Sequence, residues 1–244
     1  MLVIYSHLHR PSFNLAAEEY IFLRQAADVL FLYVNDSSVI LGSNQVLVNE
    51  VDVTFCNDNR ISVLRRVSGG GAVYHDTGNL NYSFISTIRD GKPVLSSDFL
   101  LPVVDVLKSM DIPVEIGKRK DLWLPGGYKV SGTASHISKN RQLHHGTLLY
   151  DANLEQLQKS LTVKEKDNDL KGTASVPSVV KNIRTFLEEQ TGAAPDNHDF
   201  FEMCIRRFST YYGTSVSSLT QTEVAEILAI ENQKYTQHEW NFKK

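Results

Sequence analysis

The sequence has 244 residues, of which 42% are hydrophobic and 22% are charged, as in ordinary globular proteins. The formal net charge of −3 and the two distant cysteines, Cys56 and Cys204, argue against a bulk nucleic-acid footprint, a disulfide framework and a zinc site. The amino terminus lacks a signal-peptide pattern, and no run approaches the roughly 18 apolar residues of a membrane span. We therefore expect one cytoplasmic domain over residues 1–244, with no membrane and no nucleic-acid partner.

The first half of the chain predicts one helix followed by strands. Asn14 is a plausible N-cap for a helix that continues to about Ala27. Glu18 and Glu19 would lie near its first turn, where carboxylates suit the helix dipole. Alternating or continuous apolar runs predict strands at Val29–Val34, Ser38–Gly42, Ile61–Val67 and Asn79–Thr87.

The second half mixes strands and helices in no strict βαβ order, which indicates the α+β class. A helix is predicted at Ser96–Met110, capped by Ser96 or Ser97, provided that Pro102 lies in the first turn. The charged stretch Val163–Gly172 predicts a solvated loop, with a mobile lid as the alternative. Further strands are predicted at Ile112–Gly117, Asp121–Leu124, Tyr128–Ser135 and Arg141–Tyr150. Further helices are predicted from the cap Asn153 to about Leu161, and at Val179–Glu189, Asp199–Tyr212 and Gln221–Glu231.

Three consecutive glycines, Gly69, Gly70 and Gly71, follow a predicted strand in the stretch RRVSGGGAVYHDTGN. Glycine permits close backbone approach, and a row of exposed N–H groups is typical of an anion site. Arg66 adds a charged donor for a phosphate or a carboxylate. A tight turn is the alternative, but one or two glycines would suffice for it. Neither GxxxxGK[ST] nor a helix-opening GxGxxG is present, so we expect a different kind of anion site.

A second set of candidates lies in KRKDLWLPGGYKVSGTASH, residues 118–136. Lys129 lies between Tyr128 and Val130 in a predicted strand, so its side chain points away from theirs. A solvated surface lysine is the alternative. Asp121 is a possible Mg²⁺ ligand, because Mg²⁺ binds through few carboxylates together with phosphate oxygens.

Two adjacent histidines, His144 and His145, lie in the strand predicted at Arg141–Tyr150. Neighbouring residues of a strand face opposite sides, so this pair cannot easily chelate one metal ion. One of them is therefore a candidate for a pocket wall and the other for a structural role. A GxSxG nucleophile motif is absent from the sequence.

These motifs occur together and in order: RRVSGGGAVYHDTGN, KDLWLPGGYKVSGTASHISKNRQLHHGTLL and KGTASVPSVVKNI, followed by EWNFKK. In this combination the sequence resembles the lipoate–protein ligase A family over nearly its whole length. The resemblance implies a biotin/lipoyl protein ligase-like fold with a mixed β-sheet core and flanking helices. It also implies an enzyme that joins lipoate to ATP with Mg²⁺, forming lipoyl-AMP and pyrophosphate. The lipoyl group then passes to a lysine of an apo lipoyl domain of a 2-oxoacid dehydrogenase complex, or of the glycine-cleavage H protein.

The resemblance implies a role for each matching position. Arg66 and the glycines would hold phosphate and the lipoyl carboxylate, and Lys129 would contact both anions as the catalytic residue. Asp121 matches a polar position near the phosphates. The adenylate-binding run of the family matches Gly71, Ala72, Val73 and Tyr74. The other positions assigned to substrate binding are His75, Ser131, Gly132, His145, Gly146 and Thr147.

The sequence departs from the family pattern in two places. Bacterial ligases carry Arg-Asn-Asp where this chain has Arg119-Lys120-Asp121. Lys120 is either an additional cation beside the phosphates or a solvated side chain. Full-length ligases also continue into a small domain beyond the point that corresponds to Lys244. Three possibilities stay open: activation of lipoate by this chain alone, a need for a separate small subunit, or transfer only from preformed lipoyl-AMP.

Two other classes of protein compete with the ligase hypothesis. Octanoyl and lipoyl amidotransferases share the fold but use a cysteine nucleophile without ATP, and here no cysteine lies in GKRKDLWLPGGYK. A non-catalytic lipoyl-binding protein would have no need for Arg66, Lys129 and Asp121 together. A local basic cluster, which comprises Lys118, Arg119, Lys120, Lys139 and Arg141, predicts a steering surface for acidic lipoyl domains.

Overall fold

The computed structural model describes residues 1–89, 96–163 and 165–243. Its strands are β1 Leu2–Ser6, β2 Val29–Val34, β3 Ser38–Leu41, β4 Ser62–Arg65, β5 Val73–His75, β6 Asn79–Thr87, β7 Glu115–Ile116, β8 Leu122–Leu124, β9 Tyr128–Ser131, β10 Thr133–Ser138, β11 Arg141–Leu149 and β12 Val216–Ser217. Its α-helices are α1 Pro11–Arg24, α2 Val53–Asp58, α3 Leu101–Lys108, α4 Leu154–Ser160, α5 Ile183–Thr191, α6 Asn197–Tyr212, α7 Gln221–Ile230 and α8 His238–Asn241, with a π-helical turn at Glu231–Tyr235.

The largest sheet has six strands in the order β10-β11-β6-β2-β1-β12. Strand β1 runs parallel to both of its neighbours, and the other pairs are antiparallel. Two three-stranded sheets, β4-β3-β5 and β7-β8-β9, stand beside it. The predicted α+β class with a mixed sheet is confirmed.

Strand β2 shows how the sheet divides the core. All six of its residues are buried, as expected for a central strand covered on both faces. Leu30, Leu32 and Val34 pack into the cluster on the side of α3 and α6. The alternate residues Val29, Phe31 and Tyr33 pack into the cluster on the side of α1 and α7.

Helix α1 begins earlier than the sequence predicts. It starts at Pro11, because proline at the first helical position needs no hydrogen-bond acceptor for a backbone N–H. Asn14 is therefore not its cap. The Asn14 side chain is fully buried and donates to the carbonyl of Leu8 (2.7 Å) and to Oδ1 of Asn35 (2.9 Å). The helix ends at Arg24 rather than near Ala27.

The predicted helix at Ser96–Met110 is also shorter. A 3₁₀ turn at Asp98–Leu100 leads into α3, and Pro102 lies in the first turn of α3 as the prediction required. Ser97 makes no capping hydrogen bond to the described residues, and the Ser96 hydroxyl accepts from the Asp98 N–H (3.2 Å).

Other predicted boundaries also change. The strand predicted at Ile112–Gly117 shrinks to β7, and the strand predicted at Tyr128–Ser135 divides at Gly132 into β9 and β10. The helix predicted from Val179 begins at Ile183, because Val179 and Val180 instead pair with Lys129 of β9. The caps of α4 and α6 are Asn153, as predicted, and Asp196. In the stretch Val163–Gly172, residues 165–169 are exposed and lie outside helices and strands, while Lys164 lies outside the described residues.

Candidate functional site

The glycine loop, residues 68–71, leaves β4 and is held by the side chain of Arg66. The Arg66 guanidinium is buried, and its Nη2 donates to the carbonyls of Gly69 (2.5 Å) and Gly71 (2.8 Å). Its Nε donates to the Ser68 hydroxyl (2.9 Å). Gly70 has a φ of 85°, a backbone conformation that favours glycine. Arg66 therefore holds the loop in its conformation through hydrogen bonds, one of which is accepted by the carbonyl of Gly69.

A buried network of charged and polar groups continues from Arg66. Ser68 Oγ lies 2.7 Å from His145 Nε2, and His145 Nδ1 lies 2.9 Å from both carboxylate oxygens of Glu18. The Ser83 hydroxyl also donates to Glu18. Burial alone would raise the pKa of Glu18, but His145, Ser83 and the charge of Arg66 together lower it. Burial, opposed by Glu18, lowers the pKa of Arg66 to about 10.

His75 borders the same network in its neutral form. Asn35 Nδ2 lies 3.0 Å from His75 Nδ1, and the amide oxygen of Asn35 already accepts from Asn14. Asn35 therefore donates, so the proton of the imidazole lies on Nε2. Burial, followed by the charges of Arg66 and His145, lowers the pKa of His75 to about 3.

Lys129 of β9 and Asp121, which immediately precedes β8, form a second charged group. Lys129 Nζ lies 3.4 Å from Asp121 Oδ2, and Arg119 Nη2 lies 3.9 Å from the same oxygen. The Lys129 side chain is 20% exposed, whereas Val130 is buried in the core, so the predicted opposite orientation is confirmed. Burial, opposed by Asp121, lowers the pKa of Lys129. Burial would raise the pKa of Asp121, but the hydrogen bond from Trp123 and the charge of Lys129 lower it.

Residues 173–180, which we call the strap, close the site on the outside. The Ser175 hydroxyl accepts from the Ala72 N–H (3.0 Å) and from Gln45 Nε2 (3.0 Å). The Ser175 N–H donates to the Glu50 carboxylate (3.1 Å). The strap is thus attached to the segment that follows the glycine loop and to the turn that follows β3.

Two cavities meet at Lys129. The first has a volume of about 330 Å³ and reaches from Lys129 to Leu15, Tyr33 and Ile40. The second has a volume of about 310 Å³ and is bordered by Leu149 of β11 and by Leu157 and Leu161 of α4 and its end. Both cavities are lined by Ala72, Val73, Lys129, Gly132, Thr147, Ser175 and Val176.

The cavities gather nearly all the residues predicted from the sequence. The first cavity takes in Arg66, Gly70, Gly71, His75, Asp121, His145 and Gly146, and the second takes in Tyr74 and Ser131. Gly69 lines neither cavity. His144 does not line the first cavity. Its ring stacks on that of Phe99, with 4.3 Å between the ring centroids. One histidine of the pair thus lines the pocket and the other does not.

The sequence pattern does not identify Glu18, Tyr33, Ser68 or Ser175 as site residues. With Asn14 as the predicted cap, the pattern places Glu18 near the first turn of the helix, where its carboxylate would suit the helix dipole. A signal was present, since Glu18 falls between Leu15 and Ile21 on the apolar face of α1, where a carboxylate must find partners. Ser175 lies about 100 residues from the backbone that it binds, so local patterns carry no sign of it.

Comparison with known proteins identifies the family. The model of the lipoyl protein ligase A/B catalytic domain matches residues 10–209. Lipoate–protein ligase 1 of Staphylococcus aureus is 36% identical over 235 residues, which cover 95% of this chain and 70% of that protein. The lipoate–protein ligase LplJ of Bacillus subtilis is 35% identical over 242 residues, covering 97% of this chain and 71% of that protein. This chain belongs to the lipoate–protein ligase family.

Solved structures of lipoate–protein ligases share the fold. A lipoate–protein ligase A bound with ATP superposes with a TM-score of 0.80 at 27% identity, covering 99% of both chains. Plasmodium falciparum LipL1 in complex with lipoate gives a TM-score of 0.82 at 25% identity, covering 100% of this chain and 74% of that one. A bi-partite ligase of Thermoplasma acidophilum, described together with its E2 lipoyl domain, gives 0.80 at 27% identity, covering 99% and 96%.

The cysteines of this ligase do not support a thioester route. Cys56 lies in α2 and Cys204 in α6; both are buried, and neither lines the two cavities. Burial, followed by the charge of Asp52, raises the pKa of Cys56 to about 11, and burial also raises that of Cys204. A nucleophilic cysteine needs a lowered pKa and access to substrate.

Among the described residues, none of the helices has the length and apolar character of a membrane span.

Proposed function

We propose that this lipoate–protein ligase binds lipoate in the first cavity and ATP in the second, and joins them beside Lys129. The observation that carries the proposal is the position of Lys129, which lines both cavities. A fixed cation at that junction would lie beside a carboxylate from one side and a phosphate from the other. The relatives that contain lipoate or ATP support the choice of ligands.

The chemistry of each cavity fits its proposed ligand. The first cavity offers the apolar side chains of Leu15 and Ile40 to an acyl chain, and the glycine loop near its carboxylate end. The second cavity offers Leu149, Leu157 and Leu161, apolar surfaces against which an adenine ring can pack.

In the first step, a carboxylate oxygen of lipoate attacks the α-phosphorus of ATP, and the bond to pyrophosphate breaks. The two reacting anions repel each other, so the step needs preorganised positive groups in a site that largely excludes water. Lys129 supplies such a charge, and Asp121 and the backbone of β9 hold it in place. The N–H groups of the glycine loop add further donors without a change of conformation at the moment of reaction.

Asp121 fits the role of a single carboxylate ligand for Mg²⁺. Its Oδ2 is buried without a hydrogen-bond partner in the described residues, although Lys129 lies 3.4 Å away. The described residues contain no group of three or more acidic, histidine or cysteine side chains that could hold a metal by themselves. When bound, Mg²⁺ would neutralise charge on the phosphates, which would supply most of its oxygen ligands.

In the second step, the free amine of an acceptor lysine attacks the carbonyl carbon of lipoyl-AMP. The bond to the phosphate oxygen breaks, AMP leaves with the electron pair, and the amine proton passes to solvent. We propose an apo lipoyl domain as the acceptor, of a 2-oxoacid dehydrogenase complex or of the glycine-cleavage H protein. The bi-partite relative, described together with its E2 lipoyl domain, supports this choice.

The test is the intact mass of an apo lipoyl domain after incubation with the pure chain. One reaction contains lipoate, ATP and Mg²⁺, and a second contains preformed lipoyl-AMP. A lipoyl mass gain in both reactions is expected if the chain catalyses both steps. A gain only with lipoyl-AMP would assign activation to a second subunit or domain and leave transfer to this chain. A gain in neither reaction, with an acceptor modified by a known ligase, would contradict the proposal.

A further inference from the structure

Arg65, which precedes Arg66 in the sequence, is fully buried and binds two separate segments of backbone. Its Nη1 donates to the carbonyls of Gly42 (2.9 Å) and Gln45 (2.8 Å). On the other side its Nε donates to the carbonyl of Asn241 (3.3 Å), and its Nη2 donates to that of Lys243 (3.1 Å). One rigid guanidinium thus connects the turn 42–45 to the carboxy-terminal segment 240–243.

The carboxy-terminal segment is also attached to the backbone of Arg65. The indole of Trp240 donates to the Arg65 carbonyl (2.7 Å), and the Arg65 N–H donates to Oδ1 of Asn241 (3.0 Å). The Asn241 amide in turn donates to the Tyr235 carbonyl (2.8 Å). These hydrogen bonds hold the segment 240–243 in one position against Arg65, which we call the seated position. The side chain of Asn241 contributes to it both as an acceptor and as a donor.

The turn 42–45 supports both the glycine loop and the strap. A Cβ atom at Gly42 would collide with the carbonyl of Gly70, so the two backbones are in direct contact. The amide of Gln45 donates to the carbonyl of Thr173 (3.2 Å) and to the hydroxyl of Ser175 (3.0 Å) in the strap. A shift of this turn must move the walls of the first cavity.

The buried charge of Arg65 opposes any movement of the turn 42–45 relative to the segment 240–243. Among the described residues no carboxylate forms an ion pair with it, so the backbone carbonyls are its acceptors. Losing the acceptors on one side would leave buried charged N–H groups without partners, which is strongly unfavourable. The turn and the carboxy-terminal segment therefore cannot rearrange independently.

We propose that Arg65 is a positioning residue that couples the seating of the carboxy-terminal segment to the shape of the lipoate site. The inference rests on the proposed function, because it takes lipoate as the ligand of the first cavity. Binding of lipoate stabilises the seated segment, and the seated segment strengthens binding of lipoate by the same factor, as linkage requires.

The first test uses the unaltered full chain. Amide hydrogen exchange is measured with and without saturating lipoate at the N–H groups of Asn241 and Phe242, which donate to the carbonyls of Gln237 and His238. We expect exchange there to slow by about tenfold, within the usual range for coupled sites. Amides of α6, which lines neither cavity, are the reference for any global stabilisation. Slowing at residues 241 and 242 that does not exceed the slowing in α6 would overturn the proposal.

The second test is a double-mutant cycle on lipoate affinity. Arg65→Lys keeps the charge but loses the planar fork, and Asn241→Ala unseats the segment. Each variant is expected to weaken lipoate binding about tenfold, and the double variant to be no weaker than Arg65→Lys alone. Arg10→Lys is the control, because it alters an anchor of the carboxy-terminal helices on Glu231 without touching Arg65. Its lipoate affinity should stay within about twofold of the unaltered chain.

The outcomes separate this inference from the proposed function. Normal lipoate affinity in both single variants, or effects that multiply in the double variant, would contradict the coupling while leaving the ligase assignment untouched. If the variants fail to fold, the exchange experiment on the unaltered chain decides. Failure of the unaltered chain to bind lipoate at all would instead contradict the proposed function.

Discussion

The alternation of residues along a strand correctly predicts on which side of the sheet a side chain lies. The period of two residues along β9 and β11 predicts that Lys129 faces away from Val130 and that His144 and His145 face opposite sides, and the structure confirms both. The partners of these side chains were not predictable in the same way. The bond between Glu18 and His145 joins residues 127 positions apart, and such pairs depend on the register of strands and helices in three dimensions.

Removal of the Lys129 charge tests its proposed role directly. Lys129→Met keeps most of the side-chain volume, and we expect the rate of lipoyl-AMP formation to fall by about 10²-fold or more, as for loss of a preorganised donor. Pyrophosphate release measures this step. Lys181→Met is the matched control, because Lys181 pairs with Glu189 and lines neither cavity. Equal loss in both variants would contradict a specific role for Lys129.

His75 gives a stability prediction with a defined sign. Its pKa is about 3 in the folded chain and 6.5 in its reference state, so the unfolded chain takes up the proton first as the pH falls. Between pH 7.5 and pH 5 this residue should remove about 2 kcal/mol of unfolding free energy. Urea unfolding of His75→Gln should lack that part of the pH dependence. His198→Gln, on the exposed side of α6, should retain it.

At the scale of elements, local patterns located most helices and strands, whereas their ends and partners depended on distant residues. Helix α1 was recognised by its apolar spacing, but Asn14 is drawn into the interior by Leu8 and Asn35 rather than capping the helix. The sequence pattern predicts helix from Val179, yet Val180 pairs with Lys129, which lies about 50 residues earlier in the sequence. No window of neighbouring residues contains that information.

The contact between the turn 42–45 and the glycine loop offers a matched pair of substitutions. Gly42→Ala places a Cβ against the carbonyl of Gly70, so we expect the loop to shift and lipoate affinity to fall by about tenfold or more. Gly69→Ala meets nothing within 4 Å and needs no left-handed backbone, so its lipoate affinity should stay near that of the unaltered chain. Calorimetric titration of both variants checks this difference. Similar losses in the two variants would show that the contact between Gly42 and Gly70 does not shape the site.

At the scale of the whole molecule, four members of the predicted basic cluster differ in their exposure and contacts. Lys118 and Lys139 are exposed, and Arg119 contacts Asp121 and Ser178 at the mouth of the cavities. Arg141 is partly buried and donates to the Thr87 hydroxyl and the Ala27 carbonyl. The exposed lysines are therefore the members suited to steering an acidic acceptor.

Charge reversal tests that steering. Lys118→Glu combined with Lys139→Glu should lower the association rate with an apo lipoyl domain and reduce its salt dependence, because long-range attraction is screened by ions. Stopped-flow measurements at two ionic strengths check both effects. Lys108→Glu, on α3 and lining neither cavity, is the control for charge reversal away from the site, and it is compared with each single variant, Lys118→Glu and Lys139→Glu. An unchanged salt dependence in the double variant would remove these lysines from the docking surface.

The two consecutive glutamates of α1 limit how the pocket can be redesigned. Glu18 turns toward His145, whereas Glu19 turns toward Lys234 and Tyr235 of the carboxy-terminal helices. One helical turn thus supports both His145, which lines the first cavity, and the packing of the π-helical turn at Glu231–Tyr235. A library that varies this turn to admit a bulkier acid will mix altered selectivity with lost stability at adjacent positions. Screening such variants by activity alone would discard pocket shapes that fail only because the chain no longer holds together.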